Sequence, residues 1–234
     1  MFTTNHFIFL AIALFIIISY TLVVKKFNIS FKTQLIALFC VGAASEILKI
    51  MVNMESTSEG TYLTQDSLPF HLCSMQLFFI VALLFFVKKE NTKNVLLEFM
   101  CPTMCIGGAI ALFIPTVGVS FKRAIVYQFF IFHSYIIAFS INLIRNRTIT
   151  FTYKTLIRNL GILLGLTILA IYINAITQDH GSNFMYVARP PMKNLPFLNL
   201  NGGWYVYFIK LVITGTLAMT LFHLPFILIE RKNN

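Results

Sequence analysis

The chain has 234 residues, of which 58% are hydrophobic and only 11% charged, and its mean hydropathy is +0.80. An ordinary soluble domain is about 45–50% apolar and about 25% charged, so this chain has too few ionic groups to cover a water-facing surface. A soluble enzyme, a disulfide scaffold and a disordered chain are excluded, and the formal charge of +10 reads first as membrane topology.

About 20 apolar residues in a row span a bilayer core as a helix. Seven stretches meet that scale, at about 7–24, 34–52, 67–87, 94–114, 124–144, 156–177 and 204–229. The expected fold is all-α, a single domain over 1–234 built from seven transmembrane helices. The first stretch is followed, not preceded, by lysines (Lys25, Lys26), which marks a retained anchor rather than a cleaved signal peptide. The second contains Cys40, Glu46 and Lys49. A polar, acidic connection over 53–66 leads to the third, which opens Leu68-Pro69-Phe70-His71-Leu72-Cys73-Ser74 and carries Gln76. The fourth holds Cys101, Cys105 and Gly107-Gly108, with Pro115 just beyond, a combination that permits a broken helix. Gln128 and His133 lie in the fifth, Asn174 near the end of the sixth, and Lys210 and His223 in the seventh. The connection over 178–203 is long and contains Arg189-Pro190-Pro191, Pro196 and Gly202-Gly203. Connections of that length are often functional or disordered.

Basic residues divide unevenly between the two sets of loops. One set, with the tail, carries Lys25, Lys26, Lys32, Lys88, Lys89, Lys93, Arg145, Arg147, Lys154, Arg158, Arg231 and Lys232; the other carries only Lys122, Arg123, Arg189 and Lys193. Positive charge collects on the cytoplasmic side, so the amino terminus is expected outside and the carboxyl terminus inside, as in a multi-pass plasma-membrane protein. The charge is spread over short loops rather than gathered on one face, so no nucleic-acid partner is expected.

All four cysteines fall in apolar stretches, where packing is the default role. No compact Cys/His spacing points to a metal, and no cofactor is implied. His6 and His180 are expected at the outer surface, solvated, and His223 packed near the inner end. Ionisable residues inside a membrane usually face the bundle interior and mark a site. In this topology Glu46, Lys49, His71, Cys73, Gln76, Gln128, His133, Asn174 and Lys210 all fall in the outer half, on five helices. Such clustering predicts a polar cavity opening toward the outer leaflet. Each member also has a structural reading: Glu46 and Lys49 as a neutralising i,i+3 pair, Lys210 as a snorkelling cation, Asn174 as interhelical glue.

Cys73 is the intrinsically good nucleophile in that set, and a thiol needs a base to attack as thiolate. His71 lies roughly 200° around the helix from it, which leaves His133 as the better base and Glu46 as an orienter of an imidazole. From the residues alone three readings stand: Cys–His catalysis, a transport or small-ligand site using Glu46, Lys49 and Lys210, and packing.

The segment Leu68–Ser74 resembles the LPLHLCS opening of the corresponding helix in the YwaF-type family of bacterial integral membrane proteins. Glu46, Gly107-Gly108-Ala109 and His133 agree in order, Ser182-Asn183-Phe184-Met185-Tyr186 is similar to the family's NYMF segment, and Gly203-Trp204-Tyr205 is similar to its PWY segment. Animal relatives of that family are regarded as acyltransferases acting on glycerophospholipids, with the cysteine of the HLC segment as proposed nucleophile. The resemblance implies that role for Cys73 and a histidine role for His133. The leading expectation is a cysteine-dependent phospholipid acyltransferase or acyl hydrolase. Cys73, His133, His71 and Glu46 would be catalytic, Gln76, Gln128, Asn174, Arg189 and Lys210 would contact substrate, and phospholipid or lysophospholipid would be the partner. The alternative is a non-catalytic transporter or a membrane protein that binds a lipid or small molecule.

Overall fold

The computed structural model describes all residues except 1, 58–59, 64–66, 147, 178–180, 193–194 and 234. Long apolar runs satisfy their backbone polar groups internally by becoming helices, and seven α-helices form among the described residues: α1 (Thr4–Lys26), α2 (Phe31–Asn53), α3 (Leu72–Val81), α4 (Glu90–Phe113), α5 (Ala124–Arg145), α6 (Tyr153–Ile176) and α7 (Gly203–Asn233). Side-chain caps set three of the starts. Thr3 accepts from the His6 amide, Ser30 from the Thr33 amide, and Thr152 forms a reciprocal capping box with Thr155.

Six of the helices are long and apolar enough to cross a membrane, which makes this a multi-pass membrane protein. The third is shorter than the 67–87 stretch suggests. Ten α-helical residues continue into a five-residue π-helical turn, Ala82–Phe86. Its start slips to Leu72 because Pro69 disfavours helical backbone at Leu68. The architecture is helical, and the 53–66 connection adds a small antiparallel hairpin, β1 (Met54–Thr57) and β2 (Gly60–Leu63), with Met54 opposite Leu63.

α5 is the central post, packed against α1, α2 and α4. Within the bundle 61% of its apolar window is buried, against 11% for α7, so α7 lies at the periphery. One core joins Leu38, Ile80, Met100, Met104, Ile136 and Phe139 of α2, α3, α4 and α5; a second joins Phe9, Leu112, Val126 and Phe130 of α1, α4 and α5. Two long-range bonds show which ends coincide. His6 at the start of α1 bonds the Leu112 carbonyl at the end of α4 (2.8 Å), and Arg145 at the end of α5 donates to the Thr21 carbonyl near the end of α1 (3.1 Å).

α4 runs unbroken through Gly107-Gly108 and stops at Phe113, which corrects the expectation of a possible break there. The two glycines serve close approach instead. A Cβ on Gly108 would lie 2.7 Å from Ile137 Cγ1 and 3.1 Å from the His133 carbonyl, and one on Gly107 would lie 3.3 Å from the Cys73 sulfur. Neither is there to relieve strain; both let α4 press against its neighbours.

Candidate functional site

The end of α2 and the start of α3 meet in a charged contact. Glu46 and Lys49 form an ion pair one turn apart on α2. The Ser74 hydroxyl donates to Glu46 Oε1 at 2.7 Å, and Lys49 Nζ donates to Ser74 Oγ at 3.4 Å. Three side chains thus form a closed set that ties two helices together. Next to it, the Gln128 amide donates to Ser45 Oγ, joining α5 to α2, and Gln76 donates to Thr103 Oγ1 at 3.0 Å, joining α3 to α4. Gln76 is fully buried, and its Oε1 has no hydrogen-bond partner among the described residues.

Cys73 is half-buried in the first turn of α3, with its neighbour Ser74 in the Glu46–Lys49 set. The helix start has His71 at its N-cap in extended backbone, with no side-chain cap bond. The first backbone acceptor in the helix is the His71 carbonyl, bonded by the Met75 amide at 2.9 Å. The amides of the first turn therefore direct the positive end of the helix dipole at this spot. The His71 ring meets Phe184 edge-on and Tyr186 at a tilt, with centroids 5.6 and 5.2 Å away. His133 is buried on α5 between Phe129 and Phe132. Its Nδ1 lies 2.7 Å from the Phe129 carbonyl. A carbonyl only accepts, so Nδ1 carries the hydrogen, and in the neutral ring Nε2 carries the lone pair. No hydrogen bond joins Cys73 to His133 in this state. Gly107 and Gly108 of α4 face their respective helices between them.

The remaining predicted contacts are drawn into the segment before α7. Asn174 clamps the Phe184 backbone in both directions, donating to its carbonyl at 3.0 Å and accepting from its amide at 2.8 Å. Asn183 Oδ1 accepts from the Ala188 and Arg189 amides, and Arg189 donates to the Gly181 carbonyl. Lys210 Nζ donates to Asn199 Oδ1 at 3.3 Å and stands over the Phe197 ring. So Asn174, Arg189 and Lys210 fold the segment, while Glu46, Lys49, Ser74, Gln76 and Gln128 connect helices around Cys73. Far from being a loose outer loop, the segment is partly core: Phe184 and Val187 pack on Ala170 and Ile173, with Leu68 and Phe70 against them. The Trp204 indole donates to the Val187 carbonyl at 2.9 Å, and the Tyr207 hydroxyl to the Tyr186 carbonyl. Met185 and Tyr186 hold φ of 53° and 56° inside this frame, a left-handed backbone that surrounding contacts must enforce in non-glycine residues.

The sequence model of the TMEM164 family matches residues 1–223, nearly the whole chain. The chain belongs to the TMEM164 family. No curated protein and no solved structure matches it.

This TMEM164-family protein also has a second polar cluster, at the opposite end of α4. Glu98 Oε1 accepts from Thr150 Oγ1 at 2.9 Å, its other oxygen pairs with Arg158, and Asn159 donates to the Glu98 backbone carbonyl at 2.8 Å while lying 3.3 Å from His223 Nε2. Glu98 is absent from the sequence-derived set, although an acid within 94–114 carries the same signal as Glu46. Ser45, Ser74 and Thr103 are absent for a different reason: a hydroxyl in an apolar helix commonly bonds its own backbone, and only the packing shows that these three bond across helices. Two further placements differ from expectation. His6 is fully buried on the Leu112 carbonyl rather than solvated, because α1 leans its first turn onto the end of α4. Cys40 is exposed on the outward face of α2, unlike the buried Cys101. His180 lies outside the described residues.

Proposed function

We propose that this TMEM164-family protein is a thiol-dependent enzyme that transfers or hydrolyses an acyl chain of a membrane phospholipid, with Cys73 as nucleophile. The observation that carries this reading is the place of Cys73. It occupies the first turn of a helix whose start has no side-chain cap, where backbone amides favour negative charge on the attacking sulfur and on a developing oxyanion. The likeness of Leu68–Ser74 to the YwaF-type segment, and the acyl chemistry ascribed to its animal relatives, point the same way. Cys73 attacks the ester carbonyl and forms a thioester; the lysolipid leaves, and a second acceptor or water takes the acyl group. His133 presents a lone pair on Nε2 and serves as the proton shuttle once substrate draws the helices together. His71 lines the start of α3 and orients the oxyanion or headgroup, and Arg189 and Lys210 supply positive charge for a phosphate. The topology that goes with this places the amino terminus and the α2–α3 end outside, the tail in the cytoplasm, and the protein in the plasma membrane.

The test is chemical. Purified protein incubated with phosphatidylcholine bearing a labelled acyl chain should form a hydroxylamine-sensitive thioester. Cys73→Ser should abolish turnover, while Cys40→Ser, Cys101→Ser and Cys105→Ser should retain it. Turnover by a protein lacking all four cysteines would refute the thiol mechanism. A wild type with no lipid turnover, but with solute binding that Glu46→Gln removes, would establish the transporter or binding reading in its place.

A further inference from the structure

Acyl transfer through a thioester needs two proton movements, and the second differs from the first. In the first, a thiol loses its proton. In the second, the hydroxyl of the acceptor must lose one as it attacks the thioester. His133 is held in apolar surroundings, with Nδ1 committed to the Phe129 carbonyl and its ring between two phenylalanines. A different group stands one residue along the helix from Cys73. Ser74, the residue after Cys73, donates to the Glu46 carboxylate at 2.7 Å and receives a bond from Lys49 at 3.4 Å. A hydroxyl that donates to a carboxylate and accepts from an ammonium is polarised in one direction, toward passing its proton to the acid.

We propose that Ser74 and Glu46 form the proton relay for the second half-reaction, with Lys49 holding the carboxylate in place. This rests on the thioester reading given above and assigns a residue that reading leaves unused. The acceptor hydroxyl, on a lysophospholipid or a water, hydrogen-bonds to Ser74 Oγ. As its oxygen attacks the thioester carbonyl, the new C–O bond forms and the C–S bond breaks. The acceptor's proton passes to Ser74 Oγ, and the Ser74 proton passes to Glu46 Oε1. The expelled thiolate recovers a proton from Glu46 by the same route in reverse, so the thiol and the carboxylate are both restored and no outside reagent is consumed. Ser74 touches the acceptor and is the catalytic member; Glu46 and Lys49 are positioning residues that act through it.

The experiment separates formation of the thioester from its release. Purified protein is mixed with phosphatidylcholine vesicles carrying a labelled acyl chain, and lysophosphatidylcholine is then added as acceptor. In the wild type the thioester forms and is discharged. In Ser74→Ala, and in the charge-balanced Glu46→Gln/Lys49→Gln pair, it should form within about threefold of the wild-type rate and then persist. Its release should be slower by about 10²-fold or more, as expected on losing a general base. Release at the wild-type rate in both variants would overturn the relay. Equal losses in formation and release would also overturn it, since they would show that the three residues only hold α2 against α3. Absence of any thioester on the wild-type protein would defeat the thiol reading itself, and the relay with it, and is recognised before any variant is made.

Discussion

Asn159 stands where α4 lacks a hydrogen bond. Pro102 lies inside that helix and has no amide hydrogen to offer the carbonyl four residues back, which is that of Glu98. The buried Asn159 side chain donates to that oxygen at 2.8 Å from α6. An unpaired carbonyl in a membrane interior has no water to turn to, so this single amide has a defined energetic task. Asn159→Leu should destabilise the protein by about 1–3 kcal/mol. Adding Pro102→Ala should recover part of the loss, because alanine restores the missing donor. Thermal unfolding of the four proteins in detergent gives the double-mutant cycle, and independent effects of the two changes would show that Asn159 does not serve the proline gap. The Asn174 clamp on Phe184 makes the same kind of bond at the other end of α6, closing both backbone groups of one residue.

At the scale of helices, α4 is placed by what it lacks. Gly108 has Ile137 and the His133 carbonyl where a side chain would stand, whereas Gly161 on the outward face of α6 has nothing within 4 Å. The same substitution should therefore have opposite signs. Gly108→Ala must shift α4 against α5, at about 1–3 kcal/mol for overpacking, while Gly161→Ala should stabilise by about 0.4–1 kcal/mol through the unfolded chain's lost freedom. Unfolding midpoints measured side by side check this. Equal effects would mean that α4 and α5 are not in backbone-close contact. A Cβ at Gly108 would also reach the His133 backbone directly, so the packing and the placement of the candidate base are coupled.

For the whole molecule, the ends of the helices sort into two layers. His6 of α1 meets Leu112 of α4 at one, and Arg145 of α5 meets Thr21 of α1 at the other. Lys122 follows the first layer and Lys89 precedes the second, and both are exposed. With the basic residues concentrated beside Lys89, the positive-inside rule predicts a cytoplasmic position for that layer. In a cysteine-free background, Lys122→Cys should react with an impermeant maleimide on intact cells, and Lys89→Cys should react only after permeabilisation. The reverse pattern would turn the protein over and move the Cys73 end to the inner leaflet.

Membrane insertion was legible in the residue string because it is a local sum: about 20 apolar residues decide a span whatever lies beside it. The Glu46–Lys49 pair was legible for the same reason, since helical geometry alone brings i and i+3 together. The short third helix was only partly so, its start being moved by Pro69 and its end by a π-helical turn that no periodicity announces. Contacts between helices were not legible at all. Ser74 meets Glu46 across 28 residues of chain, and Gln128 meets Ser45 across 83. Partners of that kind depend on how each helix is rotated and how far it slides along its neighbour, and an error of one residue turns a side chain by 100°. Composition set which residues enter the bilayer. Tertiary packing, with glycines admitting α4 and Phe184 and Tyr186 set against His71, decided which polar groups meet across helices, because in a membrane each buried polar group bonds to whichever partner the packing brings within reach.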